Sequence, residues 1–295
     1  MSPLSEDSTK LLLQKYCIRP SRKKGQSFLI DQQIARKIVA AANLTPEESV
    51  LEIGGGLGIL TRFLVEQAHH VYVIEIEPAL VKALNDILDG VENVTVIQGD
   101  ALKHELPSVN KVVSNLPYSI SSPLTFRVLN DIRPSLSVLM YQEELVNRML
   151  ARPGTSEYSR FSVGVQYLAE IEEVLKVSAQ RFYPVPAVDS SVVRMISRTR
   201  GSFAQDQRVF FWMTHGIYSY PNKHLRKALG IWCQNLGVSK KLADEIVSRT
   251  GGVLRGSERL RYLEQDKLIL LADTLLEFIE EGVLPEPEGS HGAIG

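Results

Sequence analysis

Four consecutive residues, Asn115-Leu116-Pro117-Tyr118, carry the most specific chemical signal in this chain. They follow Lys111-Val112-Val113-Ser114, a short apolar run that reads as a buried strand. The exocyclic amine of adenine is a poor nucleophile, because its lone pair is delocalised into the ring. A site that alkylates it needs acceptors for both N–H bonds, and Asn115 Oδ1 and the Leu116 carbonyl can supply them. Held in this way, the nitrogen can pyramidalise towards an incoming carbon. Pro117 stiffens the loop. Tyr118 offers a flat face on which an extruded base can stack. Taken alone, the same four residues are also common punctuation at the end of a strand.

Three other strand ends carry matching chemistry. Glu52-Ile53-Gly54-Gly55-Gly56-Leu57-Gly58 closes an apolar strand at Ser49–Ile53 and opens a helix read over Leu57–Ala68. Glycines such as Gly54 and Gly56 let the backbone turn tightly and approach a ligand closely. Glu75 ends the next strand, about twenty residues on, where a carboxylate can accept from both hydroxyls of a ribose. Asp100, followed by Ala101, ends the strand at Val94–Ile97 and can accept from the amino group of an adenine. A dinucleotide site wants G-x-G-x-x-G, with a pyrophosphate on the helix N-terminus. Here the third position is Ile59. The observed E-x-G-x-G-x-G spacing resembles the S-adenosylmethionine site of the class I methyltransferases, whose ligand has an amino-acid tail in place of a pyrophosphate. A sulfonium carries a full positive charge, so positioning can supply most of the rate and no side chain need remove a proton before attack.

The elements that must position these tips alternate between strand and helix. That pattern predicts an α/β fold, a mostly parallel Rossmann-like sheet with helices on both faces, and binding beyond the carboxyl ends of its strands. Asp31 caps a helix that turns Ile34, Ile38 and Val39 inward. A strand is expected at Leu136–Tyr141 and a helix from about Glu143 to Leu150. Beyond residue 200 the period is helical throughout: Gln207–Tyr218, Asn222–Leu236, Lys240–Arg249 and Asp266–Glu280. Four parts follow: a basic flexible segment (1–25), a cofactor-binding catalytic domain (26–200), a small all-helical domain (201–283) and a disordered tail (284–295).

The bulk numbers fit an ordinary globular chain of 295 residues, 44% hydrophobic and 23% charged. Its two cysteines, Cys17 and Cys233, lack zinc spacing, His69-His70 has no third ligand nearby in sequence, and His104 has only Glu105 beside it in a loop, so no metal is expected. The polar, acidic N-terminus does not read as a signal peptide, and no apolar run reaches membrane-spanning length, so the expected setting is a monomer in the cytoplasm. A net charge of −1 argues against a nucleic-acid partner, but the distribution softens this. Basic residues crowd the segment from Lys10 to Lys24 and recur from Lys176 to Lys227, which predicts a basic face.

Over most of its length, from about Tyr16 to Glu280, the chain resembles the ribosomal RNA adenine dimethyltransferases. Arg22-Lys23-Lys24-Gly25-Gln26-Ser27-Phe28-Leu29 is similar to their N-terminal motif, which closes over the cofactor. Ser27 stands where that motif usually has asparagine. The resemblance implies that Gln26, Ser27, Leu29, Gly54, Gly56, Glu75, Asp100, Ala101 and Asn115 hold S-adenosylmethionine. Phe182-Tyr183-Pro184-Val185-Pro186-Ala187-Val188-Asp189-Ser190 matches the family's F-x-P-x-P-x-V-x-S stretch. It implies that Phe182 and Tyr118 form the two sides of the base slot. The other reading of Phe182 is a core aromatic beside a proline loop. Asn222 to Leu229 partly resembles a basic helix of the family's second domain, which makes Lys223, Arg226 and Lys227, with Arg22, Lys23 and Lys24, the expected RNA contacts. The implied activity is N6,N6-dimethylation of two adjacent adenosines near the 3′ end of small-subunit rRNA, with the immature small subunit as partner. Methylation of one adenine in large-subunit rRNA, a purely binding role in ribosome assembly, and a dehydrogenase are the alternatives.

Overall fold

The computed structural model describes residues 5–21 and 26–287. In chain order the elements are α1 (Glu6–Lys15), β1 (Phe28–Leu29), α2 (Gln32–Ala41), β2 (Ser49–Ile53), α3 (Thr61–Leu64), β3 (His70–Glu75), α4 (Pro78–Ile87), β4 (Val94–Gln98), β5 (Lys111–Asn115), α5 (Ser121–Arg127), β6 (Leu136–Gln142) and α6 (Glu143–Met149). They continue as α7 (Arg160–Leu168), β7 (Ala169–Val177), β8 (Phe182–Tyr183), β9 (Ser190–Ser197), α8 (Gln207–Ile217), α9 (Leu225–Asn235), α10 (Leu242–Arg249) and α11 (Gln265–Glu280).

Seven strands form one sheet in the order β4-β3-β2-β5-β6-β9-β7. Strands β4 to β6 run parallel, and β9 and β7 return antiparallel at one edge. Strands β5 and β6 are almost continuously buried, as expected where helices cover both faces of a parallel sheet. The chain leaves β2 towards β3 and β4, then crosses back to β5 and β6 on its other side. Such a reversal opens a crevice beyond the strand ends, between β2 and β5. Helix α2 starts as expected, with Asp31 Oδ1 accepting from the amides of Gln33 at 2.9 Å and Ile34 at 3.1 Å.

Several expectations need correction. The segment before Gln26 is not uniformly irregular, because Glu6–Lys15 is a helix closed by a Ser5/Ser8 capping box. Its buried Leu13 packs with Leu57, Leu80 and Ala83, so tertiary burial holds a helix whose own sequence period is weak. The helix read over Leu57–Ala68 shrinks to Thr61–Leu64, because Gly58 takes φ +75° and irregular turns replace both ends. Strands β7, β8 and β9 stand where no strand was read. Edge strand β7 exposes Glu170, Glu172 and Glu173, so its sequence lacks an apolar run.

The chain divides into two compact units. One holds residues up to Val146 together with Ala169–Ser197, and the other holds Asn147–Leu168 with the chain from Arg198 on. The boundary read near Arg200 therefore misses Asn147–Leu168, which joins the helices. Within that second unit Tyr167 stacks on Phe210 with ring centroids 4.0 Å apart, so α7 contributes to its core. A Cβ on Gly216 would lie 2.1 Å from Trp232 Nε1, so only glycine lets α8 and α9 approach there. Among the described residues no helix is long and apolar enough to cross a membrane, and no cluster of three metal-ligating side chains occurs. Arg22, Lys23, Lys24 and most of the expected tail lie outside the described residues.

Candidate active site

One cavity of about 840 Å³ opens in the first unit at the reversal point of the sheet. Its walls include Glu52 to Leu57 after β2, Glu75 to Pro78 after β3, Gly99 to Leu102 after β4, and Asn115 to Ile120 after β5. Gln26, Ser27, Phe28 and Leu29 also line it. Four strand tips and residues 26–29 of the N-terminal motif thus share one space, as their chemistry required.

The glycine loop is shaped by close approach. Gly54 takes φ +77°, and a Cβ there would sit 3.4 Å from the Pro117 ring, so the loop after β2 lies against the loop after β5. Gly56 takes φ +55° and would press a Cβ to 3.3 Å from the Phe28 ring. Its amide instead donates to Glu75 Oε2 at 3.0 Å, while the Glu77 amide donates to Glu75 Oε1 at 3.0 Å. Glu75 is buried, and burial pushes its carboxyl above the ordinary value, against the amides of Glu77, Gly56 and Ile76. The carboxylate retains acceptor capacity for a ligand hydroxyl.

Asp100 Oδ1 accepts from the Leu102 amide at 3.0 Å, which aims the turn after β4. The Ala101 carbonyl accepts from Arg127 Nη1, which fastens that turn to α5. Gln26 turns part of its capacity inward: its Oε1 accepts from the Ser21 amide at 2.9 Å, and its own amide donates back to the Ser21 carbonyl at 3.1 Å. Leu29 is buried in the main core, whereas Ser27 is partly exposed at the cavity wall.

Asn115 ends β5, and its Oδ1 is buried with no hydrogen-bond partner among the described residues. A buried amide oxygen without a donor costs about 1–3 kcal/mol, which a ligand N–H would recover. Leu116 is buried, and the Pro117 carbonyl accepts from Ser121 Oγ at 3.1 Å and from the Ile120 amide at 3.1 Å. Tyr118 shares a hydrogen bond of 2.7 Å with Ser190 Oγ. Burial pushes the Tyr118 hydroxyl up, so it stays neutral.

Phe182 does not stand where the resemblance put it. It is only 1% exposed, belongs to the main core with Leu29, Val138 and Val192, and does not line the cavity. It packs inward because β8 pairs with β1, setting Leu29 opposite Phe182 and Phe28 opposite Tyr183. The core-aromatic reading of Phe182 is the one this conformation supports. In the second unit Lys223, Arg226 and Lys227 are all exposed. Arg226 and Lys227 line a smaller recess with His224 and Arg255, and Arg226 is engaged by Asp244 at 3.2 Å.

Sequence reasoning gave Glu52 no role beyond heading the glycine motif and passed over Ile76 and Thr9, and all three line the cavity. Glu52 is buried and accepts from Thr61 Oγ1 at 2.6 Å. Burial pushes its carboxyl up to about 8, while the Thr61 hydroxyl pulls the other way. An acid among apolar neighbours beside the glycines was the available signal. Ile76 is 59% exposed, an apolar surface on the cavity wall. Thr9 had no signal, since α1 brings it there.

This strand order, with a glycine loop after β2, an acid after β3 and an amide-bearing loop after β5, defines a class I methyltransferase. The chain belongs to the ribosomal RNA adenine dimethylase family, whose model matches residues 19–248. It is 44% identical over 218 residues to a probable ribosomal RNA small subunit methyltransferase A of Methanosarcina mazei, covering 74% of this chain and 80% of that protein. A protein of the same description from Methanococcus maripaludis is 37% identical over 264 residues, 89% of this chain and 100% of the relative. Among solved structures, a dimethyladenosine transferase from Plasmodium falciparum is similar with a TM-score of 0.75 at 28% identity, covering 87% of this chain and 99% of that one. The 23S rRNA methyltransferase ErmE is similar with a TM-score of 0.61 at 26% identity, covering 84% and 99%. Membership of a class I methyltransferase family implies S-adenosylmethionine as the methyl donor. The cavity fits it: the Gly54–Gly56 cradle, the buried Glu75 carboxyl and the orphaned Asn115 amide oxygen all line it.

Proposed function

We propose that this chain dimethylates N6 of two adjacent adenosines near the 3′ end of small-subunit rRNA, acting on immature small subunits in the cytoplasm. The single observation that carries the chemistry is the buried, unpartnered Oδ1 of Asn115 in the same cavity as Gly54 and Glu75. The named relatives support the substrate.

Glu75 would accept from the ribose hydroxyls of S-adenosylmethionine, Asp100 from its adenine amine, and Gly54 and Gly56 would flank its amino-acid tail. When bound, the cofactor supplies an activated methyl group whose C–S electron pair returns to sulfur as the bond breaks. The protein's own work is to hold the target. Asn115 Oδ1 and the Leu116 carbonyl accept the two N6 hydrogens, which localises the N6 lone pair for the new N–C bond. Tyr118 stacks on the extruded base. The surplus proton leaves N6 for water, so no buried base is required. Ser27 contacts the cofactor through its backbone, and exposed Lys223, Arg226 and Lys227, with Arg22, Lys23 and Lys24, meet RNA phosphates.

The test is incubation with labelled cofactor and immature small subunits, followed by digestion of the rRNA. N6,N6-dimethyladenosine at two adjacent positions is the expected product. Its absence overturns the proposal, and label in large-subunit rRNA alone favours the other rRNA substrate.

A further inference from the structure

The loop that would hold the target base is tied at more points than strand pairing requires. Tyr118 is fixed at its backbone end, where the Pro117 carbonyl takes two hydrogen bonds and the Pro117 ring meets the Gly54 turn. It is fixed again at the far end of its ring, 2.7 Å from Ser190 Oγ. Ser190 is buried at the start of β9, in register with Gln142 on one side and Val177 on the other. The residue before it is pinned too. The Asp189 carbonyl accepts from the Glu143 amide at 3.1 Å, and its Oδ1 accepts from the Ala179 amide at 2.8 Å. The hydroxyl that meets Tyr118 therefore stands on a rigid platform.

We propose that Ser190 is a positioning residue that holds the Tyr118 ring in place against a swing about Cα–Cβ, and that its main effect falls on the second methyl transfer. The inference rests on the dimethylation reading above and deepens it. In the first transfer the target amine has two N–H groups, and both acceptors of the loop, Asn115 Oδ1 and the Leu116 carbonyl, can hold it. After one methylation a single N–H remains. Half of the hydrogen-bonded alignment is gone, and the stacking plane must carry the rest. A ring without its bond at Oη would swing about its Cα–Cβ bond, which tilts and displaces the stacking face, and the monomethylated base would lose orientation more than the unmethylated one.

The measurement is a single-turnover time course on immature small subunits with saturating S-adenosylmethionine. It resolves N6-methyladenosine from N6,N6-dimethyladenosine for the wild type, Ser190→Ala, Tyr118→Phe, the double variant and Ser191→Ala. Ser191 is the adjacent buried serine, and its Oγ has no hydrogen-bond partner among the described residues, so its loss controls for a buried serine deletion as such. Ser190→Ala is expected to slow the second transfer about five- to tenfold, the scale of one lost hydrogen bond, and the first transfer much less. Monomethyl product should then accumulate, while cofactor affinity stays at the wild-type value. Tyr118→Phe should do the same, and the double variant should be no worse than either single change. Ser191→Ala should match wild type. Equal slowing of both transfers, an unchanged product ratio, or additive effects in the double variant would overturn the role of Ser190 and leave the dimethylation reading standing. A wild type that makes no dimethyladenosine overturns the reading itself and this proposal with it.

Discussion

The Gly56 amide donates to Glu75 Oε2 at 3.0 Å, so the glycine turn after β2 is held by the carboxylate that ends β3. The bond makes one object of the cofactor's two expected contacts. It also lets a change at Glu75 act twice, on the ligand and on the loop.

Glu75→Ala is expected to weaken S-adenosylmethionine binding by about 10- to 150-fold, the range of about 1.5–3 kcal/mol for hydrogen bonds to a charged group. Glu75→Gln, which keeps one acceptor oxygen, should fall between. Calorimetric titration of the cofactor reads both, and wild-type affinity in Glu75→Ala would remove this residue from the site.

Asn115→Ala should lower the rate of methyl transfer about 100- to 1,000-fold at saturating cofactor, the usual cost of deleting one preorganised polar group at a reacting centre. The unpartnered Oδ1 makes this a loss of ligand contact and not of a fold contact. Stability should therefore hold or rise slightly, which a denaturant melt checks. An active Asn115→Ala enzyme would contradict the proposed chemistry.

The buried Glu52 carboxyl, pushed up to about 8 from 4.5, links stability to pH. The unfolded chain releases this proton first, so between those values the folded state binds more protons. Stability from this group is present at low pH and is lost as pH rises from about 4.5 to 8, by at most about 1.4 kcal/mol per pH unit. Glu52→Gln removes this dependence. Its stability relative to wild type should climb across that window in urea titrations, and a flat difference would mean that Glu52 ionises normally.

Replacing Arg22, Lys23 and Lys24 together by alanine should flatten the salt dependence of RNA binding. Three lost phosphate contacts lower the slope of log K against log salt by about 2–3. Filter binding at several salt concentrations measures it, and an unchanged slope takes this segment off the RNA surface.

The core of the site was legible because each part announces itself locally. Strands β2, β3 and β5 are short apolar runs, and each ends in a residue that chemistry singles out: the Gly54 turn, Glu75 and Asn115. The four helices after residue 200 were equally plain from their period. Less was visible between residues 150 and 200. Edge strand β7 exposes Glu170, Glu172, Glu173 and Val174 and half-buries only Ile171 and Leu175, and α7 joins the second unit although its sequence neighbour β7 belongs to the first. Phe182 was placed by resemblance and not by burial, and the pairing of β8 with β1 turns it into the core.

From residue order alone came the chemistry of four strand tips and the parallel sheet that must gather them, because parallel strands and glycine turns leave local patterns. Tertiary structure alone decided that α1 brings Thr9 to the cavity wall, that Phe28 faces Tyr183 across a two-stranded pair, and that Tyr118 meets a hydroxyl 72 residues away. Those contacts depend on where β9 returns beside β6 and where the N-terminal helix finds apolar cover. Such long-range pairings are settled by the burial of the whole sheet, and no short window of sequence encodes them.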